Sequence, residues 1–323
     1  MKAIRIHKFG PTEEVLEYEE VPVPEPKAGE VLIKVEAASL NRADLGLRKG
    51  TYRISADALP LIPGREFAGA VEKLGTGVNE YQVGERVVAY PSLGGYAEYA
   101  VAKTSEVRPI PDGVTSAQAA ATPTVFLTAW FGLLTDGNLK AGEWLLVQGG
   151  SSGVGNAAIQ IAKHLGAQVI ATSGSEEKCR RLRQLGADVS IDLSQTDFLP
   201  EVMRVTHNRG VDVVLEMIGG EVYQKSLQAL APGGRLFSIG GAFGPIPDPP
   251  PFLAQGRLAT RFSITNYLKT KPEDFKKLDT ILKLIDEKKF QVVIGKTFPL
   301  AQAQAAQRYL EGRQHFGKVL LTM

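Results

Sequence analysis

Trp144-Leu145-Leu146-Val147-Gln148-Gly149-Gly150-Ser151-Ser152-Gly153-Val154-Gly155-Asn156-Ala157-Ala158 decides the fold. Four apolar residues, 144–147, have the length of a buried strand, and a glycine and serine turn follows. Beyond the turn, Val154, Ala158, Ile161, Ala162 and Leu165 recur at helical spacing. Such a turn lets backbone N–H groups approach a pyrophosphate, and the opening helix adds unpaired donors and the positive end of its dipole. A second strand candidate, 168–172, comes after Gly166, which completes a strand, turn, helix and strand of βαβ length. The middle glycine of G-x-G-x-x-G is replaced by Ser152, so the glycines alone also fit a tight turn that holds nothing. The flanking strand and helix carry the reading.

The same alternation continues downstream. Strand candidates at 144–147, 168–172, 189–191, 211–216 and 235–239 are separated by helix candidates at 154–165, 176–185, 197–207 and 220–230. This pattern predicts a doubly wound parallel sheet with helices on both faces. Two later strands run into glycine pairs, Gly219-Gly220 and Gly240-Gly241, where backbone could approach a ligand lying across the carboxyl ends or simply turn. A proline-rich excursion at 245–251 interrupts the pattern. A strand candidate at 260–268, an amphipathic helix at 274–288, a helix at 301–310 and a final strand at 318–321 complete the chain.

Upstream, residues 1 to about 120 read as mostly β. Short apolar runs at 31–35, 67–71, 86–89 and 96–101 are punctuated by turn signals, which suggests a partly open β-barrel. At Ser116 the texture becomes helical, with Thr115 or Ser116 as the cap of a first helix and 123–134 as a second.

A chain of 323 residues accommodates two domains, and 44% hydrophobic with 22% charged residues is the composition of a globular protein. With a net charge of +2 and no basic stripe, nucleic acid is not an expected partner. Cys179 is the single cysteine, which excludes an internal disulfide and a cysteine-rich zinc site. The alternating start Met1-Lys2-Ala3-Ile4-Arg5-Ile6 lacks the apolar run of a signal peptide, and no run of eighteen apolar residues occurs, so a cytoplasmic setting without membrane insertion is expected.

Several stretches in order resemble one family, the zinc-free quinone oxidoreductases of the medium-chain dehydrogenase/reductase superfamily. They are Ala37-Ala38-Ser39-Leu40-Asn41-Arg42-Ala43-Asp44, Ile62-Pro63-Gly64-Arg65-Glu66-Phe67-Ala68-Gly69, Gly94-Gly95-Tyr96-Ala97-Glu98-Tyr99, Phe126-Leu127-Thr128-Ala129, the glycine turn, Pro232-Gly233-Gly234-Arg235 and Gly317-Lys318-Val319. The resemblance implies a GroES-like catalytic domain of residues 1–120 and 290–323 around a Rossmann domain of residues 121–289. It also implies a homodimer, for which 260–268 is the candidate edge strand. Zinc-dependent relatives in the superfamily place cysteine where Leu40 or Asn41 stands and histidine where Arg65 stands, so no metal is expected. His7, His164, His207 and His315 do not cluster in sequence.

The second strand ends Ala171-Thr172-Ser173-Gly174-Ser175, without the carboxylate that receives a ribose 2′-OH in NAD sites. Ser173, Ser175 and Lys178 could instead hold a 2′-phosphate. The family mostly uses NADPH, so NADPH is the expected cofactor. Leu193 stands where the family often has a tyrosine, beside Asp192. The resemblance further places Asn41 and Tyr52 in the cleft between domains, Asn41 donating to a carbonyl oxygen or to the cofactor and Tyr52 supporting an oxyanion or donating a proton. Cofactor contacts are expected from Gly150, Ser151, Ser152, Gly153 and Val154 of the turn, from Thr128, Gly240, Ala242 and Phe243, and from Lys318, which could equally be a surface charge. Glu66 is expected to be structural and paired with Arg65. The implied activity is NADPH-dependent, metal-free hydride transfer to quinones or α,β-unsaturated carbonyls. An enone or enoyl-thioester double-bond reductase and a non-catalytic, crystallin-like NADPH-binding protein are the alternatives.

Overall fold

The computed structural model describes residues 1–10, 15–51, 54–240 and 254–323, and the chain divides into two compact units. One comprises Met1–Thr124 and Phe275–Met323, the other Val125–Asp274.

In the first unit β1 (Lys2–Ile6) and β2 (Leu16–Glu20) form an antiparallel ribbon. The larger sheet is organised by β3 (Glu30–Ser39), whose ten residues bury Val31, Ile33 and Val35 on one face. β4 (Phe67–Leu74) pairs along most of one edge of β3. β5 (Arg86–Ala89), β6 (Tyr99–Lys103) and β7 (Val107–Pro109) follow, β6 pairing with residues 30–34 of β3. Register shifts between Leu32 and Ile33 and between Val35 and Ala37 mark where β3 bends, as bulges do. Gly69 admits that close pairing: a Cβ there would lie 1.9 Å from the Lys34 carbonyl oxygen. Helix α1 (Arg42–Arg48) leaves the end of β3, and the Thr115 hydroxyl caps α2 (Ser116–Ala120) by accepting from the Gln118 N–H.

After α3 (Pro123–Phe131) the second unit builds its sheet from β8 (Trp144–Val147), β9 (Gln168–Ser173), β10 (Val189–Asp192), β11 (Val211–Glu216), β12 (Leu230–Ser238) and β13 (Leu258–Arg261). Every pairing is parallel and the order is β10-β9-β8-β11-β12-β13, the doubly wound arrangement. All six residues of β11 are buried, as a strand covered on both faces requires. The helices are α4 (Gly153–His164), α5 (Glu176–Gln184), α6 (Phe198–Val205), α7 (Gly220–Gln228) and α8 (Ile264–Thr270). Leu146, Ile170, Ile191, Val202, Val214 and Tyr223 meet in one of its apolar clusters.

The tail, after α9 (Lys277–Asp286), returns to the first unit as β14 (Ile294–Pro299), α10 (Ala303–Glu311) and β15 (Lys318–Thr322). β15 pairs with residues 37–39 of β3, sharing with β6 the edge that β4 leaves open.

Two expectations are corrected. The strand expected at 260–268 ends at Arg261, because the Ser263 hydroxyl accepts from the Asn266 N–H and starts α8. The helix expected at 274–288 opens as a 3₁₀ turn, Pro272–Lys276, before α9. Among the described residues no helix is long and apolar enough to cross a membrane.

Candidate active site

In the second unit the strand order reverses between β8 and β11, and their carboxyl ends carry the glycine turn and the Met217–Gly219 turn. The two turns touch: the Ser152 hydroxyl lies 3.1 Å from the Met217 sulfur. Ser152 also caps α4, accepting from the Gly155 N–H at 3.0 Å. Gly155 is obligatory, because a Cβ would sit 2.7 Å from the Gly149 oxygen and from the Cα and oxygen of Gly150. Asn156 Nδ2 donates to the Gly150 oxygen at 2.7 Å and fixes the turn from below. A further brace runs through Thr172, whose hydroxyl donates to Gln148 Oε1 at 2.7 Å while Gly149 N–H donates to it at 3.2 Å.

With the turn held this way, the N–H groups of Gly153 and Val154, in the first turn of α4, have no acceptor among the described residues. Ser151, Ser152, Gly153 and Val154 are half-buried, whereas Gly150 is buried beneath Leu182. At the tip of β9 the Ser173 hydroxyl is buried and has no hydrogen-bond partner among the described residues. Ser175 caps α5, its oxygen accepting from the Lys178 N–H at 3.4 Å. Burial pushes the Lys178 ammonium below its usual range, with Glu177 opposing and Arg181 reinforcing. Asp192, opposite Ser173 in the β9–β10 register, turns one carboxylate oxygen to the Ser194 N–H and hydroxyl at 2.9 and 2.8 Å. Thr128 is buried on α3, and Gly240 follows β12 in a left-handed conformation at φ 74°. Ala242, Phe243 and Tyr52 lie outside the described residues.

The first unit holds a buried polar cluster. Lys318 is 5% exposed and Glu66 fully buried, and they pair at 2.9 Å. The Lys318 ammonium also donates to the Leu40 carbonyl at 2.8 Å and to Asn41 Oδ1 at 2.7 Å, which commits all three protons. Asn41 Nδ2 donates to Glu66 Oε1 at 2.8 Å, and the other carboxylate oxygen accepts from the Thr124 N–H at 2.7 Å in the first turn of α3. Burial pushes the Glu66 carboxyl up, but Lys318 and these hydrogen bonds outweigh it and hold the group below its usual range. The backbone of Asn41 is fixed separately: its N–H donates to Asp44 Oδ2 at 2.8 Å, and Tyr96 Oη donates to the same oxygen at 2.8 Å. Burial raises both of these groups, Asp44 above its ordinary value against the lowering effect of its hydrogen bonds, and Tyr96 well above the phenol value, where the Asp44 charge adds to the effect.

Two sequence expectations change here. Glu66 pairs with Lys318 rather than Arg65, whose guanidinium lies 5.8 Å from the centre of the Tyr90 ring. Lys318 is not a surface charge. A carboxylate and a lysine at the starts of two apolar strands are the signal of a buried pair, but their 252-residue separation hides the partnership. Among the described residues the only His, Cys, Asp and Glu side chains grouped closely enough to hold a metal are His7, Glu17 and Glu19 on the β1–β2 ribbon, where Arg5 already pairs with Glu19.

Family models match both parts of the chain: an alcohol dehydrogenase GroES-like domain over residues 27–112 and a zinc-binding dehydrogenase over residues 153–305. The quinone oxidoreductase of Sus scrofa is 35% identical across 100% of this chain and 98% of its own length. The quinone oxidoreductase of Escherichia coli, solved in complex with NADPH, superposes with a TM-score of 0.92 at 29% identity, covering 100% of both chains. A mycobacterial protein complexed with NADPH gives 0.90 at 35% identity, again covering 100% of both. The architecture is accordingly a GroES-like domain joined to a Rossmann domain, and the chain belongs to the quinone oxidoreductase family of the medium-chain dehydrogenase/reductase superfamily.

Proposed function

We propose that the chain is an NADPH-dependent reductase that works without metal and passes hydride to quinones or related α,β-unsaturated carbonyls. The observation that carries this reading is the set of uncommitted polar groups at the ends of β8 and β9. Among the described residues, the two amides that open α4 have no acceptor, and a buried Ser173 hydroxyl without a partner stands where a carboxylate would favour NADH. The amides of Gly153 and Val154, with Gly150, Ser151 and Ser152, suit a pyrophosphate. Ser173, Ser175 and Lys178 suit a ribose 2′-phosphate, since hydroxyls and an ammonium bind an anion that a carboxylate would repel. Thr128 and Gly240, and Ala242 and Phe243 beyond the described residues, are assigned to the nicotinamide side. When bound, NADPH supplies the hydride.

The chain must hold the acceptor and offset the negative charge that develops on its oxygen. Asn41 is suited to this, because one Nδ2 hydrogen is committed to Glu66 and the second has no partner among the described residues. Tyr52 is assigned to the same task as a second donor. The residues do not fit zinc. Leu40, Asn41 and Arg65 supply no thiolate or imidazole, and the Glu66 carboxylate beside Asn41 is already neutralised by an ammonium that would repel a dication. The exposed Leu258 on β13, at the sheet edge, supports pairing of two copies into a homodimer through that strand.

Single-turnover mixing of the protein with NADPH and either a simple quinone or a simple enone, after chelation of metals, tests the reading. Oxidation of NADPH by the quinone supports it, and faster oxidation by the enone selects the double-bond reductase. NADPH binding with no oxidation by either acceptor would replace it with the non-catalytic binding protein.

A further inference from the structure

We propose that Lys318 and Glu66 are positioning residues for Asn41: together they lock its amide in one orientation so that the free Nδ2 hydrogen points to the acceptor. The inference rests on the role given to Asn41 above. An asparagine amide has two orientations related by a flip, and only its hydrogen-bond partners choose between them. Here the ammonium donates to Oδ1 at 2.7 Å and the carboxylate accepts from Nδ2 at 2.8 Å. Flipping the amide would turn its oxygen to the carboxylate and its NH₂ to the ammonium, losing both hydrogen bonds and replacing attraction by repulsion at each end. Because the amide is planar, fixing one Nδ2 hydrogen on Glu66 also fixes the direction of the other.

The two locking groups are themselves held. Lys318 has a third bond to the Leu40 carbonyl, next to Asn41 in the chain, and Glu66 receives the Thr124 N–H at the positive end of α3. Leu40 in turn donates its N–H to the Val319 carbonyl at 2.9 Å, so the tail strand carries the lysine and also holds the residue that precedes Asn41. With its three protons spent inside this cluster, Lys318 acts through Asn41 and not on the cofactor.

A charge-neutral pair of substitutions, Lys318→Met with Glu66→Gln, removes both locking charges without leaving a buried ion alone. It is read alone and combined with Asn41→Ala, by kcat, by the acceptor KM and by the NADPH Kd from fluorescence. Asn41→Ala is expected to lower kcat about 100-fold, the effect of losing a preorganised donor. The pair variant is expected to lower kcat about tenfold with unchanged NADPH affinity, and to cost nothing further once Asn41 is gone. An undiminished loss in the Asn41→Ala background, or a loss in NADPH affinity matching that in kcat, overturns the positioning role. An active enzyme indifferent to Asn41→Ala overturns the role of Asn41 itself, and the positioning role with it. A second readout needs no turnover. The Asn41 side-chain NH₂ protons, resolved from each other by slow C–N rotation, should exchange slowly with solvent in the native protein and at least about tenfold faster in Glu66→Gln; equal exchange rates and unchanged shifts in the two proteins overturn the lock.

Discussion

Lys318→Met alone strips the ammonium from the Glu66 carboxylate while keeping a side chain of similar reach. The carboxylate is fully buried, and three hydrogen bonds of Lys318 disappear with the charge. Breaking a buried pair by removing one partner costs about 3–5 kcal/mol, which in a domain of ordinary size lowers Tm by roughly 6–20 °C. The loss depends on pH with a definite sign. In the native protein Lys318 holds the Glu66 carboxyl below its usual range against the effect of burial. Without Lys318 burial has less to oppose it, and the folded carboxyl rises above the unfolded value of about 4.3. A carboxyl raised by folding destabilises while ionised. The Tm deficit of the variant is therefore largest at pH above the raised folded pKa and shrinks as the pH falls toward the unfolded value. Circular dichroism melts of both proteins at pH 8, 7, 6 and 5 measure this. A deficit below about 2 °C at pH 8, or one that widens on acidification, would refute the reasoning.

Other substitutions probe other parts of the molecule. Ser173→Asp places a carboxylate at the tip of β9 and is expected to weaken NADPH binding more than tenfold while leaving NADH binding equal or tighter, by parallel fluorescence titrations. Gly155→Ala drives a methyl into backbone 2.7 Å away, so about 1–3 kcal/mol of stability should be lost in urea unfolding, together with nucleotide affinity. Arg235→Met removes a guanidinium that binds both Glu143 oxygens, at 2.9 and 2.6 Å, and the Asn138 carbonyl at 2.7 Å. It should cost about 2 kcal/mol in the same assay without changing the ratio of NADPH to NADH affinity.

The parts of the fold that were legible in the sequence rest on local patterning. The glycine turn between an apolar run and a helical period, repeated alternation after it, and Thr115 before Ser116 each depend on residues close in the chain, and the parallel sheet, α4 and the capped α2 follow from them. The boundary at Ser263 was less legible, because an apolar stretch with threonines suits a strand until the serine cap is weighed. Long-range partnerships were hidden for a different reason. Glu66 lies beside Arg65 just before β4 and Lys318 opens β15, and only β15 returning beside β3 brings them together. The sharing of one edge of β3 by β6 and β15 joins segments far apart in the chain and leaves no local signature. The site residues split the same way: the turn residues and Ser173 sit where the local pattern places them, whereas the surroundings of Asn41 required the three-dimensional return of the tail.

The central claim, an NADPH site at the ends of β8 and β9, is tested most directly by titrating the purified protein with NADPH and with NADH and following nucleotide fluorescence. The account predicts saturable binding of NADPH at least about tenfold tighter than that of NADH, the difference arising from contacts to the 2′-phosphate. Equal affinities, or tighter binding of NADH, would contradict it.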